Sequence, residues 1–262
     1  RQSMSKIKDA LTRAKHDRDF RDDVSLFKTT PLADTEEPRG QTKVINYAEA
    51  AVVRNKIITP YFDNLELNSQ LKLLRTKILQ ETQEQDERTI LVTSTLPGEG
   101  KTFLSVNLAI TFAREVDQTV LLVDVHLQHA SVIRVFGIEQ EQGLTDYLLH
   151  DVPLSELLVR PGIEKLTLLP AGFPVEHSAE LLRSQKMRQL IQEMKGRYAD
   201  RYIFFDAPPV LTSVDTMVLS DYVDKVLFVI GSGQVTPAQV SEALGRLDQE
   251  KLLGTIINKK II

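Results

Sequence analysis

The 262-residue chain is 42% hydrophobic with a formal net charge of −4, enough apolar material for one large core plus an appendage. The acidic balance argues against general nucleic-acid binding as the main activity, and the absence of cysteine excludes disulfides, thiolate nucleophiles and Cys-ligated zinc. The five histidines lack the spacing of a transition-metal site, and no apolar run approaches the ~18 residues needed to cross a bilayer, so a cytoplasmic chain is expected.

Residues 4–20 predict a short amphipathic helix with Ile7, Ala10, Leu11 and Ala14 on one stripe. Residues 1–28 hold eight Lys/Arg against five Asp/Glu, a local charge of +3. That suits a helix docking on a partner or an anionic membrane face, and equally a solvated tail helix. Residues 21–60 read as linker, with Pro31, Pro38, Gly40 and Pro60 and the acidic cluster Asp34, Glu36 and Glu37. A helix over 64–83 carries Leu65, Leu71, Leu74 and Ile78 on its apolar side. Strand and helix then alternate. Strands are predicted at 88–94, 118–124, 165–170, 201–206, 224–230 and 253–257. Helices are predicted at 101–115, 178–196, 213–220 and 236–248, with a shorter one near 144–149. Continuous apolar strands such as Val120-Leu121-Leu122-Val123 require a sheet covered on both faces. The expected fold is α/β: a mainly parallel central sheet with helices on both faces, and ligands at the carboxyl ends of its strands. Two units follow, an N-terminal helix and linker over 1–60 and a nucleotide-binding domain over 61–262.

The apolar run Ile90-Leu91-Val92 leads into Thr95-Leu96-Pro97-Gly98-Glu99-Gly100-Lys101-Thr102, and Phe103 onward has helical character. Strand, glycine-bearing turn and helix is the context of a phosphate loop. Gly98 and Gly100 let backbone N–H groups curl around an anion at a helix N-terminus. Residues Pro97 to Phe103 are therefore the expected nucleotide-binding stretch, with Lys101 reaching terminal phosphates and the Thr102 hydroxyl ligating Mg²⁺. Threonine at 95 stands where the strict pattern has its first glycine. The competing reading is a tight strand–helix turn whose lysine is a surface charge.

Asp124 and Asp206 each end an apolar strand, and Asp206 is followed by Ala207-Pro208-Pro209. Both should emerge at the same sheet edge as the loop. Asp206 can hold Mg²⁺ and Asp124 can orient metal-bound water or take a proton from an incoming hydroxyl. The plainer alternative for either is a turn or helix cap.

These segments resemble the bacterial tyrosine kinases of exopolysaccharide synthesis, P-loop proteins related to partitioning ATPases. So do Gly143-Leu144-Thr145-Asp146, Leu168-Leu169-Pro170-Ala171-Gly172, Ala179-Glu180-Leu181-Leu182 and Leu253-Gly254-Thr255-Ile256-Ile257-Asn258. The opening Met4-Ser5-Lys6-Ile7 is similar to a subgroup linked to exosortase-type loci. The resemblance implies transfer of the ATP γ-phosphoryl group to tyrosine with Mg²⁺, in a self-associating cytoplasmic domain. It also implies a membrane partner that regulates polysaccharide chain length, at whose cytoplasmic side the domain would sit. By position it makes Lys101, Asp124 and Asp206 catalytic, gives the metal Thr102, Asp124 and Asp206, and gives adenine Asn258.

The chain departs from the family pattern in three places. The second Walker motif, Asp-x-Asp-x-Arg in the family, reads Asp124-Val125-His126-Leu127-Gln128. A neutral imidazole cannot supply the missing charge beside a dication, although a plain strand-end histidine is also an adequate reading. The tyrosine cluster that the family carries in its C-terminal tail as autophosphorylation substrate has no counterpart in this sequence: the six tyrosines are scattered, and Tyr47 and Tyr61, in or beside the segment read as flexible, are the candidates for modification in trans. The family's oligomer-forming Glu-x-x-Arg-x-x-Arg corresponds to Ser69-Gln70-Leu71-Lys72-Leu73-Leu74-Arg75, which keeps only the last arginine and puts a family-type ring in question. Three readings stand: a tyrosine kinase weakened at its second motif, a nucleotide-gated regulator binding ATP or ADP, and a partitioning-type ATPase. Against the last, Pro97 and Glu99 lie where that class carries a further lysine.

Overall fold

Every strand predicted from an apolar run forms, within one residue of its expected ends, in a computed structural model that describes residues 42–197 and 200–258. The helix expected over 4–20 and the linker up to residue 41 lie outside the described residues. In chain order the elements are β1 (Lys43–Val44), α1 (Glu49–Arg54), α2 (Leu65–Thr82), β2 (Thr89–Ser94), α3 (Lys101–Ala113), β3 (Thr119–Asp124) and α4 (Val132–Val135). There follow α5 (Leu144–His150), α6 (Leu154–Leu157), β4 (Val159–Arg160), β5 (Leu166–Leu169), α7 (Ser178–Arg183) and α8 (Gln185–Arg197). The chain continues with β6 (Arg201–Asp206), α9 (Asp215–Ser220), β7 (Lys225–Gly231), α10 (Pro237–Gly245) and β8 (Leu252–Asn258). The strands make one sheet in the order β1-β4-β5-β3-β6-β2-β7-β8, parallel throughout except where β4 meets β5.

Successive side chains of a strand point to opposite faces, and both faces here are apolar. Ile90, Val92, Val120, Leu122, Tyr202, Phe204, Leu227 and Val229 join a core with α2 and α3 on one side. Leu91, Leu121, Val123, Ile203, Phe205, Val226 and Phe228 join a second core with α8 and α9 on the other. The continuous apolar runs thus have the cause proposed for them. Helix α3, which rises from the candidate phosphate loop, is buried from Leu104 to Ala113, polar residues included. Thr111 buries its hydroxyl by donating to the Asn107 carbonyl, 2.7 Å away.

The linker reading does not hold from Lys43 onward. Val52, Ile57 and Ile58 are core residues. Asn107 of α3 reaches out to them, its Oδ1 accepting from the Ile58 amide at 2.8 Å and its Nδ2 donating to the Lys56 carbonyl at 3.3 Å. Gly137 permits α1 to approach: a Cβ there would come within 2.6 Å of Ala51 Cβ. The apolar residues of this segment, among them Val44, Ile45, Val52, Val53, Ile57 and Ile58, fall in adjacent pairs with no sustained period, so the turn signal of Pro60 dominated the sequence pattern.

The helix expected over 178–196 is two helices. Ser184 interrupts it at φ −59°, ψ 155°, and its hydroxyl accepts from the Met187 amide at 3.2 Å, capping α8. Arg75 of α2 is tied within the chain, donating to the Thr111 carbonyl at 2.8 Å and pairing with Glu115.

Candidate active site

The chain leaves β2 at Ser94, turns through residues 95–100 and enters α3 at Lys101. Gly98 and Gly100 adopt φ of +87° and +95°, the left-handed region that costs a side chain roughly 1–2 kcal/mol. Gly100 is also sterically required, since a Cβ there would lie 2.1 Å from Asn258 Nδ2. The turn is braced from two sides. The Val210 and Leu211 amides donate to the carbonyls of Ser94 and Thr95, at 2.9 and 3.2 Å. On the other side Asn258, at the end of β8, donates from Nδ2 to the Glu99 carbonyl at 2.8 Å. Thr95, in place of a glycine, is fully buried.

Glu99 is 1% exposed. Its carboxylate accepts from the Leu96 amide at 2.6 Å and from the Gly231 amide at 2.8 Å. The side chain therefore pins the turn to the end of β7 and faces inward. Pro97 and Gly98 are exposed at the tip, and Phe103 is half-buried in the first turn of α3.

Strand register sets the two aspartates side by side: Asp124 pairs with Asp206, and Asp206 with Val92 of β2. Both are fully buried. Asp206 Oδ2 accepts from the Thr102 hydroxyl at 2.7 Å and the Ser131 hydroxyl at 3.2 Å, while Oδ1 accepts from the Ser105 hydroxyl at 2.9 Å. Asp124 takes backbone amides instead, His126 at 3.1 Å on Oδ1, and Ser131 and Val132 at 2.7 and 2.9 Å on Oδ2. It thereby fastens the loop that follows β3.

Burial, and then the neighbouring charge of Asp206, push the Asp124 carboxyl up. Burial also raises Asp206, against the opposing pull of Lys101 and the three hydroxyls. Two buried carboxylates that each lose stability by being charged, with the Thr102 and Ser131 hydroxyl oxygens gathered on Asp206, fit a hard divalent cation such as Mg²⁺. The half-buried His126 is held down to about 4 by burial, Lys101 and His129, so it is neutral at pH 7 and brings no second charge. Its ring meets His129 edge-on, centroids 5.5 Å apart. Gln128, at the motif's arginine position, donates to the Ser178 hydroxyl at 3.3 Å and the Glu176 carbonyl at 3.4 Å.

Of the residues singled out in the sequence, the structure brings Lys101, Thr102, Asp124 and Asp206 together at one sheet edge, with Gly98 and Gly100 shaping the turn beside them. Ser131, Ser105 and the bracing amides of Val210 and Leu211 carried no motif. Ser105 was findable, lying three residues after Thr102 on the same helix face. Ser131 was not, because a loop gives no period from which to place it.

Residues 87–248 match the family model described as AAA domain. The chain is 34% identical over 197 residues to tyrosine-protein kinase YwqD of Bacillus subtilis, covering 74% of this chain and 82% of that one. The solved kinase domain of VpsO is 32% identical, with a TM-score of 0.67 over 77% of this chain and all (100%) of its own. The septum site-determining protein MinD of Pyrococcus horikoshii, solved with Mg-ADP, shares the fold at 24% identity and TM-score 0.55, covering 65% of this chain and 70% of its own. The chain belongs to the bacterial tyrosine kinase family of P-loop proteins.

Proposed function

We propose that the chain is an ATP- and Mg²⁺-dependent protein-tyrosine kinase whose transfer step is slowed by the histidine at 126. The observation that carries this is the Thr102 hydroxyl on Asp206 at 2.7 Å, with Asp124 paired beside it in register and Lys101 opening the adjacent helix. In this reading, backbone amides from Gly98 to Phe103 bind the phosphates, with Pro97 shaping the turn ahead of them, Lys101 offsets their charge, and Thr102 and Asp206 hold the metal together with Asp124. Asn258, already fixed against the loop, borders the base. Bound Mg²⁺ supplies charge neutralisation for the transferring phosphoryl group. As the tyrosine O–P bond forms and the bond to the leaving ADP oxygen breaks, Asp124 orients the phenol and takes its proton. Tyr61, 52% exposed at the tip of a turn closed between Thr59 and Phe62, is the target we assign for modification in trans.

Polysaccharide synthesis or export, a membrane chain-length regulator as partner on the cytoplasmic side, and self-association complete the proposal by analogy with the family. Among the described residues no helix is long and apolar enough to cross a membrane. A second reading, a nucleotide-binding regulator without transfer, is favoured by the neutral His126.

The test is incubation with labelled ATP and Mg²⁺, with phosphotyrosine and free phosphate assayed separately. Phosphotyrosine is expected from the native chain and not from Lys101→Met, which should also lose nucleotide binding. Unchanged ATP affinity in that variant would remove the phosphate-loop assignment, and binding without phosphotyrosine would select the regulator.

A further inference from the structure

Among the described residues, Ser131 touches all three side chains assigned to the metal. Its amide donates to Asp124 at 2.7 Å, and its hydroxyl lies 3.2 Å from both Asp206 Oδ2 and Thr102 Oγ1. Three of the roughly four acceptor positions of the Asp124 carboxylate are committed to backbone amides. Asp124 thus fixes where the Ser131 backbone sits, seven positions further along the chain. The Ser131 and Thr102 hydroxyls converge on the same Asp206 oxygen. A hydroxyl that has donated its one proton keeps lone pairs free for a cation, so Ser131 offers what Thr102 offers, from the loop after β3 instead of from α3.

We propose that Ser131 is a further residue of the divalent-cation site, contributing its hydroxyl oxygen to Mg²⁺ bound with nucleotide. This deepens the Mg-nucleotide reading above and rests on it. A seryl oxygen suits Mg²⁺, which prefers hard oxygen donors and retains several waters. The consequence is that the loop after β3 takes part in metal binding through Ser131, whatever residue occupies position 126.

The experiment measures the affinity of the full chain for ADP by calorimetry, once with Mg²⁺ and once with EDTA, and compares the Mg²⁺-dependent gain. In Ser131→Ala the gain is expected to shrink about tenfold, the size of one charge-assisted hydrogen bond. Affinity in EDTA should stay within about twofold, as befits a residue making no phosphate contact. Ser131→Thr, which keeps the hydroxyl, should restore the gain. The backbone amide that binds Asp124 is untouched in either variant. A full Mg²⁺ gain in Ser131→Ala overturns the proposal, as does equal loss with and without the metal, which marks a structural role. If the native chain binds ADP but gains nothing from Mg²⁺, the cation site itself falls. If it binds no ADP at all, the nucleotide reading falls with it.

Discussion

Glu99 was expected beside the nucleotide, and its geometry instead makes it the pin of the phosphate turn. In Glu99→Gln one oxygen remains to accept one amide, while the new NH₂ group faces the other. A charge-assisted hydrogen bond contributes roughly 1.5–3 kcal/mol, and a buried donor left unmade costs about 1–3 kcal/mol. Removing a buried charge offsets part of this, leaving a net loss of roughly 2–4 kcal/mol. For a domain of this size the melting temperature should fall by roughly 5–12 °C. The decisive assay is thermal unfolding without nucleotide, followed by ADP titration. A pin predicts the drop in the nucleotide-free protein. A direct nucleotide ligand predicts an unchanged nucleotide-free melt and a loss seen only in the titration, and that result would refute the reasoning.

Gly100→Ala should lower stability by roughly 1–2 kcal/mol for its backbone and dislodge Asn258, whereas Gly98→Ala, with nothing within 4 Å of its Cβ, should pay the backbone term alone; denaturant unfolding compares them. Asp224 is pushed up by burial, but Lys195 and the hydroxyl and amide of Thr89 outweigh this and hold it below the usual carboxylate range. Its stabilisation is therefore complete above pH ~4 and fades as pH falls through the lowered folded value. Asp224→Asn should cost roughly 1.5–3 kcal/mol at pH 7 and progressively less in acid; a pH-independent difference would contradict the ion pairing. His126→Asp should raise phosphotransfer by about thirtyfold if the second acid is worth a couple of kcal/mol in the transition state. The same change should lower the melting temperature without Mg²⁺, because a third carboxylate joins two already disfavoured in their charged form.

The sheet was legible because a parallel strand covered on both faces must be apolar at every position. Val120 to Val123 and Ile203 to Phe205 have no polar residue to spare. The site was legible where chemistry sits at the tip of such a strand, as Asp124 and Asp206 do. What escaped was side chain to backbone. Glu99 and Asn107 declare hydrogen-bonding capacity, but nothing in their neighbours names Gly231, 132 positions on, or Ile58, 49 positions back. The two-residue strands β1 and β4 are too short to show a period, and Ser184 reads as helix interior until its hydroxyl is seen capping α8.

The altered second motif removes charge and leaves the architecture intact. Asp124 anchors its loop through the amides of residues 126, 131 and 132, and an amide is indifferent to the side chain it carries. Replacing an acid by His126 therefore leaves the loop, Ser131 and the paired strand tips in place. On the proposed kinase reading the loss would be confined to an electrostatic contribution, largest when negative charge spreads over a transferring phosphoryl group. On the same reading, nucleotide binding and phosphoryl transfer would thus rest on separable parts of one site: the braced turn from Thr95 to Thr102 would govern the first, and the charge at 126 would adjust the second.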